Sequence, residues 1–319
     1  MPIYILGMGA VGSLFAASLV TNGYQVVGLC RGEQFDVISS QGLTYVPYEG
    51  EEVVIPIDKN FQVFSDLRHP ECNFSKYQPF DWVFVTSKVY SLESLLQTYS
   101  EIISHNGYIV LVQNGIGNEE IVSKILPNIR IYRILTTNGA LLESPGRVRH
   151  TGPGYTKIGY PQTNTLREDT PKSFALWVYL KNSPLSASID RQIDVLLWEK
   201  IFVNIGINAI ASIYNIPNGG LIETDERKNL MRDAITEAWN VAKAMNITVD
   251  ETPNRYIEFT YDVCAKTKPN RNSMLQDLDK GRKTEIDFIN GKIVEYGKEF
   301  GIPTPVNYDL TQQIKKLEK

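Results

Sequence analysis

Cysteine and histidine are scarce in this chain, three of each among 319 residues. Cys30, Cys72 and Cys264 are an odd number, far apart and without CxxC spacing. That excludes a disulfide framework and a zinc ribbon, and it suits a reducing compartment. His69, His105 and His150 show no ligand spacing, so no metal site is expected. A basic excess is also missing: the formal net charge is −4, which argues against nucleic acid or a membrane surface as partner. No uninterrupted run of about 18 apolar residues is present to span a bilayer. The apolar start lacks the basic residues of a signal peptide, and its glycines have a better use. A cytoplasmic protein is expected. No internal repeat or low-complexity tract is visible. What remains, 43% hydrophobic and 21% charged, is ordinary globular composition with length enough for two domains.

The start of the chain carries the first motif. Residues 3–6 are an apolar run suited to a buried parallel strand. Gly7-Met8-Gly9-Ala10-Val11-Gly12 follows at once, then a helical pattern over 10–22 closed by Gly23, then a second apolar strand over 25–30. A strand, a GxGxxG turn, a helix and a strand within ~30 residues are the dinucleotide-binding unit. Gly7 makes the tight turn, Gly9 lets backbone approach a pyrophosphate, and Gly12 lets helix and strand pack closely. The helix start offers free N–H donors to phosphate. An acidic residue ending the second strand would bond the ribose of NAD; Arg31 stands there instead and suits a 2′-phosphate, although Glu33 follows closely. NADPH/NADP is therefore the expected cofactor.

Residues 42–57 alternate around Glu49-Gly50-Glu51 and read as a hairpin on a sheet edge, and 58–79 as a long irregular insertion. Residues 81–86 form a buried strand that ends in Ser87-Lys88. Ligands gather beyond the carboxyl ends of such strands, so Lys88 is either a cofactor contact or a solvated lysine that starts a helix. A helix over 92–104 and a strand over 108–112 lead to Gln113-Asn114-Gly115. Asn114 is placed to face a nicotinamide or a substrate, or to take a left-handed turn conformation. A strand over 129–136, a hairpin over 147–160 around Gly152-Pro153-Gly154, and a helix over 171–181 complete a first domain, residues 1–188.

Residues 189–319 carry almost no strand pattern and read as an all-α domain, with helices over 191–214, 225–245, 253–266, 273–300 and 308–317. In the first of these, Lys200, Asn204 and Asn208 recur every four residues among Ile201, Phe202, Val203, Ile205 and Ile207. They share one face of a helix. Spacing alone leaves two readings open, a polar ligand site or the wet side of an amphipathic helix. Ser273 with Gln276 is a capping-box pattern. Glu285, taken alone, is one acid in a charged helix.

Several of these pieces together resemble the ketopantoate reductase (2-dehydropantoate 2-reductase) family. They are the motif at Gly7 to Gly12, Thr86-Ser87-Lys88, Gln113-Asn114-Gly115, and Trp198-Glu199-Lys200 through Asn204 to Asn208. To these add Ser273-Met274-Leu275-Gln276-Asp277, Thr284-Glu285-Ile286-Asp287 with Asn290-Gly291, and Gly301-Ile302-Pro303-Thr304-Pro305. They stand in family order across nearly the whole chain. The resemblance implies an α/β fold: a Rossmann-type NADP-binding domain followed by an all-α domain like the C-terminal part of 6-phosphogluconate dehydrogenase, with the active site in the cleft. It implies NADPH-dependent reduction of 2-dehydropantoate to (R)-pantoate, on the way to pantothenate and coenzyme A. By position, Lys200 is the catalytic lysine that gives a proton to the ketone oxygen, and Glu285 binds the substrate hydroxyl. Ser273, Asn204 and Asn208 hold the substrate's polar groups, and Asn114 lies between cofactor and substrate. Gly7, Met8, Gly9, Ala10, Val11, Gly12, Arg31 and Lys88 hold the cofactor. Where many members have a second serine, this chain has Asn272, which can still donate to a carboxylate. The partner implied is a small 2-keto acid; self-association into a homodimer is left open. Another small 2-keto acid, or a cofactor-binding sensor without turnover, are the alternatives.

Overall fold

Four apolar residues at the start of the chain form β1 (Ile3–Leu6), buried along its whole length. The computed structural model describes residues 2–68, 80–162 and 170–318. They divide into two compact units, Met1–Gln113 with Asn118–Ile193, and Asn114–Gly117 with Asp194–Lys319. In the first unit β1 is followed by α1 (Ala10–Thr21), β2 (Val26–Leu29), α2 (Glu33–Gln41), β3 (Leu43–Val46), β4 (Val53–Ile55), β5 (Phe61–Phe64) and β6 (Phe80–Val85). Then come α3 (Leu92–Tyr99), β7 (Ile103–Leu111), α4 (Asn118–Ile125), β8 (Arg130–Thr136), β9 (Gly139–Ser144), β10 (Arg147–Gly152), β11 (Thr156–Gly159), α5 (Thr170–Lys181) and β12 (Ala187–Ile189).

The large sheet runs β12-β11-β8-β7-β6-β1-β2-β5. From β5 to β8 every pairing is parallel, and only β11 turns antiparallel against β8. Counted along the chain, those six parallel strands stand in the order 3-2-1-4-5-6, the Rossmann arrangement, whose switch point falls between β1 and β6. A second sheet, β4-β3-β10-β9, joins the same core. It packs over α1 on the side away from the large sheet, so α1 has no wet stripe: its residues from Gly12 to Leu19 are all buried.

Three expectations for this unit need correction. The insertion at 58–79 is not irregular throughout. Phe61–Phe64 alternate buried and half-buried and form the edge strand beside β2, while 69–79 lie outside the described residues. The helix expected over 92–104 ends at Tyr99 and passes through a short 3-10 turn into β7, which begins at Ile103, before the expected 108. The pattern over 147–160 is not a hairpin. β10 pairs with β9 and β3 in the small sheet, whereas β11 pairs with β8 and β12 in the large one. Gly154 packs directly on Thr137, and Tyr155 N–H donates to Thr137 Oγ1 at 3.0 Å. The Gly-Pro-Gly stretch therefore crosses between sheets rather than reversing the chain. The hairpin expected over 42–57 does form, as β3 and β4.

Asn138 and His150 hold that crossing. His150 is 3% exposed, and its Nε2 lies 3.0 Å from Asn138 Oδ1. The same oxygen accepts Gly154 N–H at 3.0 Å, and Asn138 Nδ2 donates to Thr156 Oγ1 and to the Leu185 carbonyl, each at 3.2 Å. Burial holds the His150 imidazole below its usual pKa. The folded state therefore binds this proton less readily than the unfolded state does. The resulting stability is complete above about pH 6.5 and is lost as pH falls through the lowered pKa. His150→Gln is expected to flatten the dependence of the urea midpoint on pH between about 7.5 and 5.5; an unchanged slope would show that other groups carry it.

The second unit is built around α6 (Ile193–Ile213), followed by α7 (Asp225–Ala244), α8 (Asn254–Lys266), α9 (Ser273–Asp279), α10 (Asn290–Phe300) and α11 (Pro305–Leu317). By length and composition α6 could cross a membrane, but Trp198, Ile201, Phe202, Ile205 and Ile210 make it the buried centre of a helical core. The single helix expected over 273–300 is broken. α9 stops before the polar run 280–283, where Gly281 takes φ +61°, and a 3-10 turn over Ile286–Phe288 precedes α10. A polar chain, half-buried at Glu237 and buried at Asn290 and Asn307, then ties three helices together. The Glu237 carboxylate on α7 accepts Val306 N–H at 2.8 Å and Asn307 N–H at 2.9 Å, capping α11 from outside. Asn307 Oδ1 in turn accepts from Asn290 Nδ2 at 3.0 Å, at the first residue of α10.

Candidate active site

In the first unit the chemistry begins at the carboxyl ends of β1, β2 and β6. Gly7 and Met8 N–H groups bond the Leu29 carbonyl at 3.2 and 3.1 Å, turning the chain sharply out of β1. The Met8 carbonyl is held inward by Ser13 Oγ at 3.1 Å and by Gln34 Nε2 at 2.8 Å. Gln34 Oε1 also accepts Gly146 N–H at 2.9 Å, so one amide on α2 fastens the glycine loop to the small sheet. The Thr86 hydroxyl donates to the Gly7 carbonyl at 2.7 Å, and Gln113 Nε2 donates to the Ser87 carbonyl at 2.7 Å. The Arg133 guanidinium, fully buried, donates to the Gln113 carbonyl at 3.0 Å and stands 3.4 Å from Glu119. The bond to the Gln113 carbonyl, from a fully buried charged donor, holds the segment that follows β7.

Gly12 and Gly9 have opposite surroundings. A Cβ on Gly12 would lie 2.0 Å from the Gly7 carbonyl oxygen and 2.6 Å from Thr86 Oγ1. A Cβ on Gly9, which has extended backbone, would meet nothing within 4 Å. Gly9 is the N-cap of α1, no side chain caps that helix, and no acid stands in its first turn. Uncapped amides at an open helix start favour an anion. They border a cavity of about 500 Å³ whose lining includes Gly7, Met8, Gly9, Arg31, Gln34 and Ser87. Ser91, Ser94 and Thr98 add hydroxyls from α3 and the turn before it. A dinucleotide's phosphates fit the amides; the three hydroxyls already donate to the Lys88, Ser91 and Ser94 carbonyls at 2.7, 3.0 and 2.7 Å, so they offer a ribose acceptor oxygens. Ala10 and Val11, half-buried, begin α1. Arg31 follows β2, is exposed and lines the cavity. Lys88 is half-buried at the start of the turn that leads into α3 and is not among the residues lining this cavity. Cys30 also lines the cavity, but burial pushes its thiol up to about 12, so it is no nucleophile.

In the second unit Lys200, Asn204 and Asn208 do lie on one helix. Lys200 and Asn204 are half-buried and Asn208 is buried. Glu285 is not a solvated helical acid: it is 6% exposed and precedes the 3-10 turn. Its neighbour Thr284 donates to Glu318 at 2.6 Å and accepts Ile286 N–H at 3.2 Å, which anchors the segment on both sides. Asn114 Nδ2 reaches Glu285 Oε2 at 3.5 Å. The capping expectation is displaced by one residue. Asn272, not Ser273, caps α9, its Oδ1 accepting Leu275 N–H at 3.0 Å, while Gln276 Nε2 donates to the Arg271 carbonyl at 2.8 Å. Asparagine caps as well as serine does, and here it comes first. Ser273 is left exposed, and Asn272 Nδ2 is buried with no hydrogen-bond partner among the described residues.

Sequence reasoning missed Gln34, the Ser91, Ser94 and Thr98 hydroxyls, and Arg133. A glutamine early in a helix carries no signal of a backbone carbonyl across the fold. An arginine in the apolar β8 run, by contrast, is an anomaly that could have been noticed. Gly12→Ala is expected to lower the melting temperature by several degrees. Gly9→Ala should fold normally and weaken NADPH binding in a fluorescence titration; equal melting losses in both would contradict the assignment of the two glycines.

The comparisons with known proteins agree along the whole chain. Residues 3–163 match the family model described as ketopantoate reductase PanE/ApbA, and residues 192–318 match its C-terminal counterpart. The chain is similar to a 2-dehydropantoate 2-reductase of Pyrococcus horikoshii, 32% identical and covering 100% of this chain and 98% of that protein. It is similar to one of Vibrio cholerae at 31%, with 100% and 98% covered. Among solved structures it is similar to a D-mandelate dehydrogenase with NADH and anilino(oxo)acetate, at TM-score 0.86, 28% identity and coverage of 100% and 98%. A probable 2-dehydropantoate 2-reductase from Bacillus subtilis gives TM-score 0.79 and 27% identity over 100% of both chains.

Proposed function

The chain belongs to the ketopantoate reductase family and is an NADP-dependent oxidoreductase acting on a CH–OH group, and we propose that it reduces 2-dehydropantoate to (R)-pantoate for pantothenate and coenzyme A synthesis in the cytoplasm. The observation that supports this reading is the approach of Asn114 to buried Glu285, 171 positions apart in the chain and both given to the substrate by the family resemblance.

NADPH, when bound, supplies the hydride. The glycine loop and the open start of α1 receive its phosphates, and Arg31 favours the 2′-phosphate that distinguishes NADPH from NADH. Lys200 on α6 hydrogen-bonds the ketone oxygen and gives it a proton as negative charge builds there. Lys200 then recovers its proton from water. Glu285 accepts the substrate hydroxyl, with Asn114 beside it. Asn204 and Asn208 bind the remaining polar groups from the same face of α6. The carboxylate is taken by Ser273 and by the unpartnered Nδ2 of Asn272, which supplies the donor that a second serine gives elsewhere in the family. Lys88 is assigned a supporting cofactor contact on the strength of its position after β6.

A second reading, a different small 2-keto acid, is favoured by the likeness to D-mandelate dehydrogenase. NADPH oxidation at 340 nm with ketopantoate, 2-ketoisovalerate, pyruvate and benzoylformate separates the two: ketopantoate is expected to show the highest kcat/KM, and a higher value for benzoylformate would replace the proposed substrate. Lys200→Ala should cut turnover about 10²–10⁴-fold with little change in cofactor affinity. Near-normal turnover would remove Lys200 from the mechanism. Arg31→Ala should raise KM for NADPH far more than for NADH; equal increases would sink the 2′-phosphate assignment.

A further inference from the structure

The four residues after Gln113 are separated from the end of β7 by Val112 and Gln113 alone, yet they fold with the second unit. Their seat there is closely specified. Ile116 is buried in the helical core, and its N–H bonds the Phe288 carbonyl at 3.1 Å. Gly115, at φ +88°, lies so near Phe288 that a Cβ would stand 2.7 Å from the Phe288 carbonyl oxygen. Gly117, at φ +83°, lies against the stem of Lys292: a Cβ would stand 2.3 Å from Lys292 Cε and 3.0 Å from Nζ.

Lys292 is an unusual floor for a loop. It is 8% exposed, and its ammonium is held at both ends of its reach, 2.8 Å from Glu295 Oε1 and 4.7 Å from the centre of the Tyr296 ring. A lysine so placed has little rotamer freedom left, and its methylenes act as packing surface. Asn114 begins the loop that rests on this floor. The bond it makes to Glu285, at 3.5 Å, is at the outer limit of hydrogen-bond length, so a shift of a few tenths of an ångström would break it.

We infer that Gly117 and Lys292 are a positioning pair, in which the pinned lysine stem seats the 114–117 loop and thereby sets Asn114 against Glu285. The inference rests on the substrate role proposed above for those two residues. Neither Gly117 nor Lys292 touches substrate in this scheme; both act through Asn114. Any side chain at Gly117 lifts the loop, and loss of the lysine stem lets it sink. The ammonium itself serves to hold the stem.

The test uses the full-length protein and whichever 2-keto acid the wild type reduces. Gly117→Ala is expected to lower kcat about 10- to 100-fold, the scale of a small misplacement of a reacting group, with cofactor affinity unchanged. Adding Lys292→Ala should restore part of that loss by opening space for the new methyl. Lys292→Met, which keeps most of the stem but loses the pinned ammonium, should fall between wild type and Lys292→Ala. In an Asn114→Ala background Gly117→Ala should cost less than about twofold more. Losses that multiply in that background, or a double variant no better than Gly117→Ala, would overturn the pairing.

A readout independent of turnover keeps this separate from the assigned reaction. In protein labelled with ¹⁵N-asparagine, the Asn114 side-chain amide, identified by its absence in Asn114→Ala, should shift on Glu285→Gln. In Gly117→Ala it should no longer respond. An equal response in both backgrounds refutes the seat. A wild type that reduces none of the keto acids refutes the reaction instead, and the amide response still decides the seat.

Discussion

The contact between Gly12 and the Gly7 carbonyl governs the first unit. A methyl group at Gly12 would overlap that oxygen, so α1 can approach β1 and β6 only because residue 12 has no side chain. Close approach on this side leaves room on the other for a second sheet, and α1 becomes a buried axle between two sheets rather than a surface helix. Its small residues, Ser13, Ala16, Ala17 and Ser18, suit that place. Its open amino end then points where the chain turns out of β1. The same steric constraint thus shapes the core and exposes the amides that a phosphate requires.

Polar side chains do the positioning around that core. Gln34 fastens the glycine loop to the small sheet, Thr86 fastens it to the end of β6, and Arg133 fixes the Gln113 carbonyl just after β7. In the second unit Glu237, Asn307 and Asn290 link three helices, and Thr284 with Glu318 anchors the segment bearing Glu285. Each bond contributes modestly to stability, but each leaves a costly buried group if its partner is displaced.

The contrast between the two halves explains what was readable. Local patterns were legible: the glycine spacing before α1, the apolar strands, and the shared helix of Lys200, Asn204 and Asn208. Patterns that depend on distant partners did not. Residues 147–160 alternate as a hairpin would, yet the two strands join different sheets because Asn138, His150 and Thr137 grip the crossing. Residues 273–300 carry helical periodicity, yet Gly281 and the anchored Thr284 interrupt it. Ser273 and Gln276 have the spacing of a capping box, yet Asn272 takes the cap one residue earlier.

Taken alone, the sequence determined the opening strand-loop-helix-strand unit and its dinucleotide loop, because these are written in spacings of a few residues that sterics and hydrogen-bond periodicity enforce locally, and the order of its motifs along the chain carried the resemblance to the family. Tertiary structure alone decided that α1 lies between two sheets, that Glu285 is buried rather than solvated, and that the loop after Gln113 folds onto the stem of Lys292. Those outcomes depend on which surfaces meet after collapse. Burial and partnership belong to pairs of residues such as Asn114 and Glu285, 171 positions apart, and no window along the chain contains both.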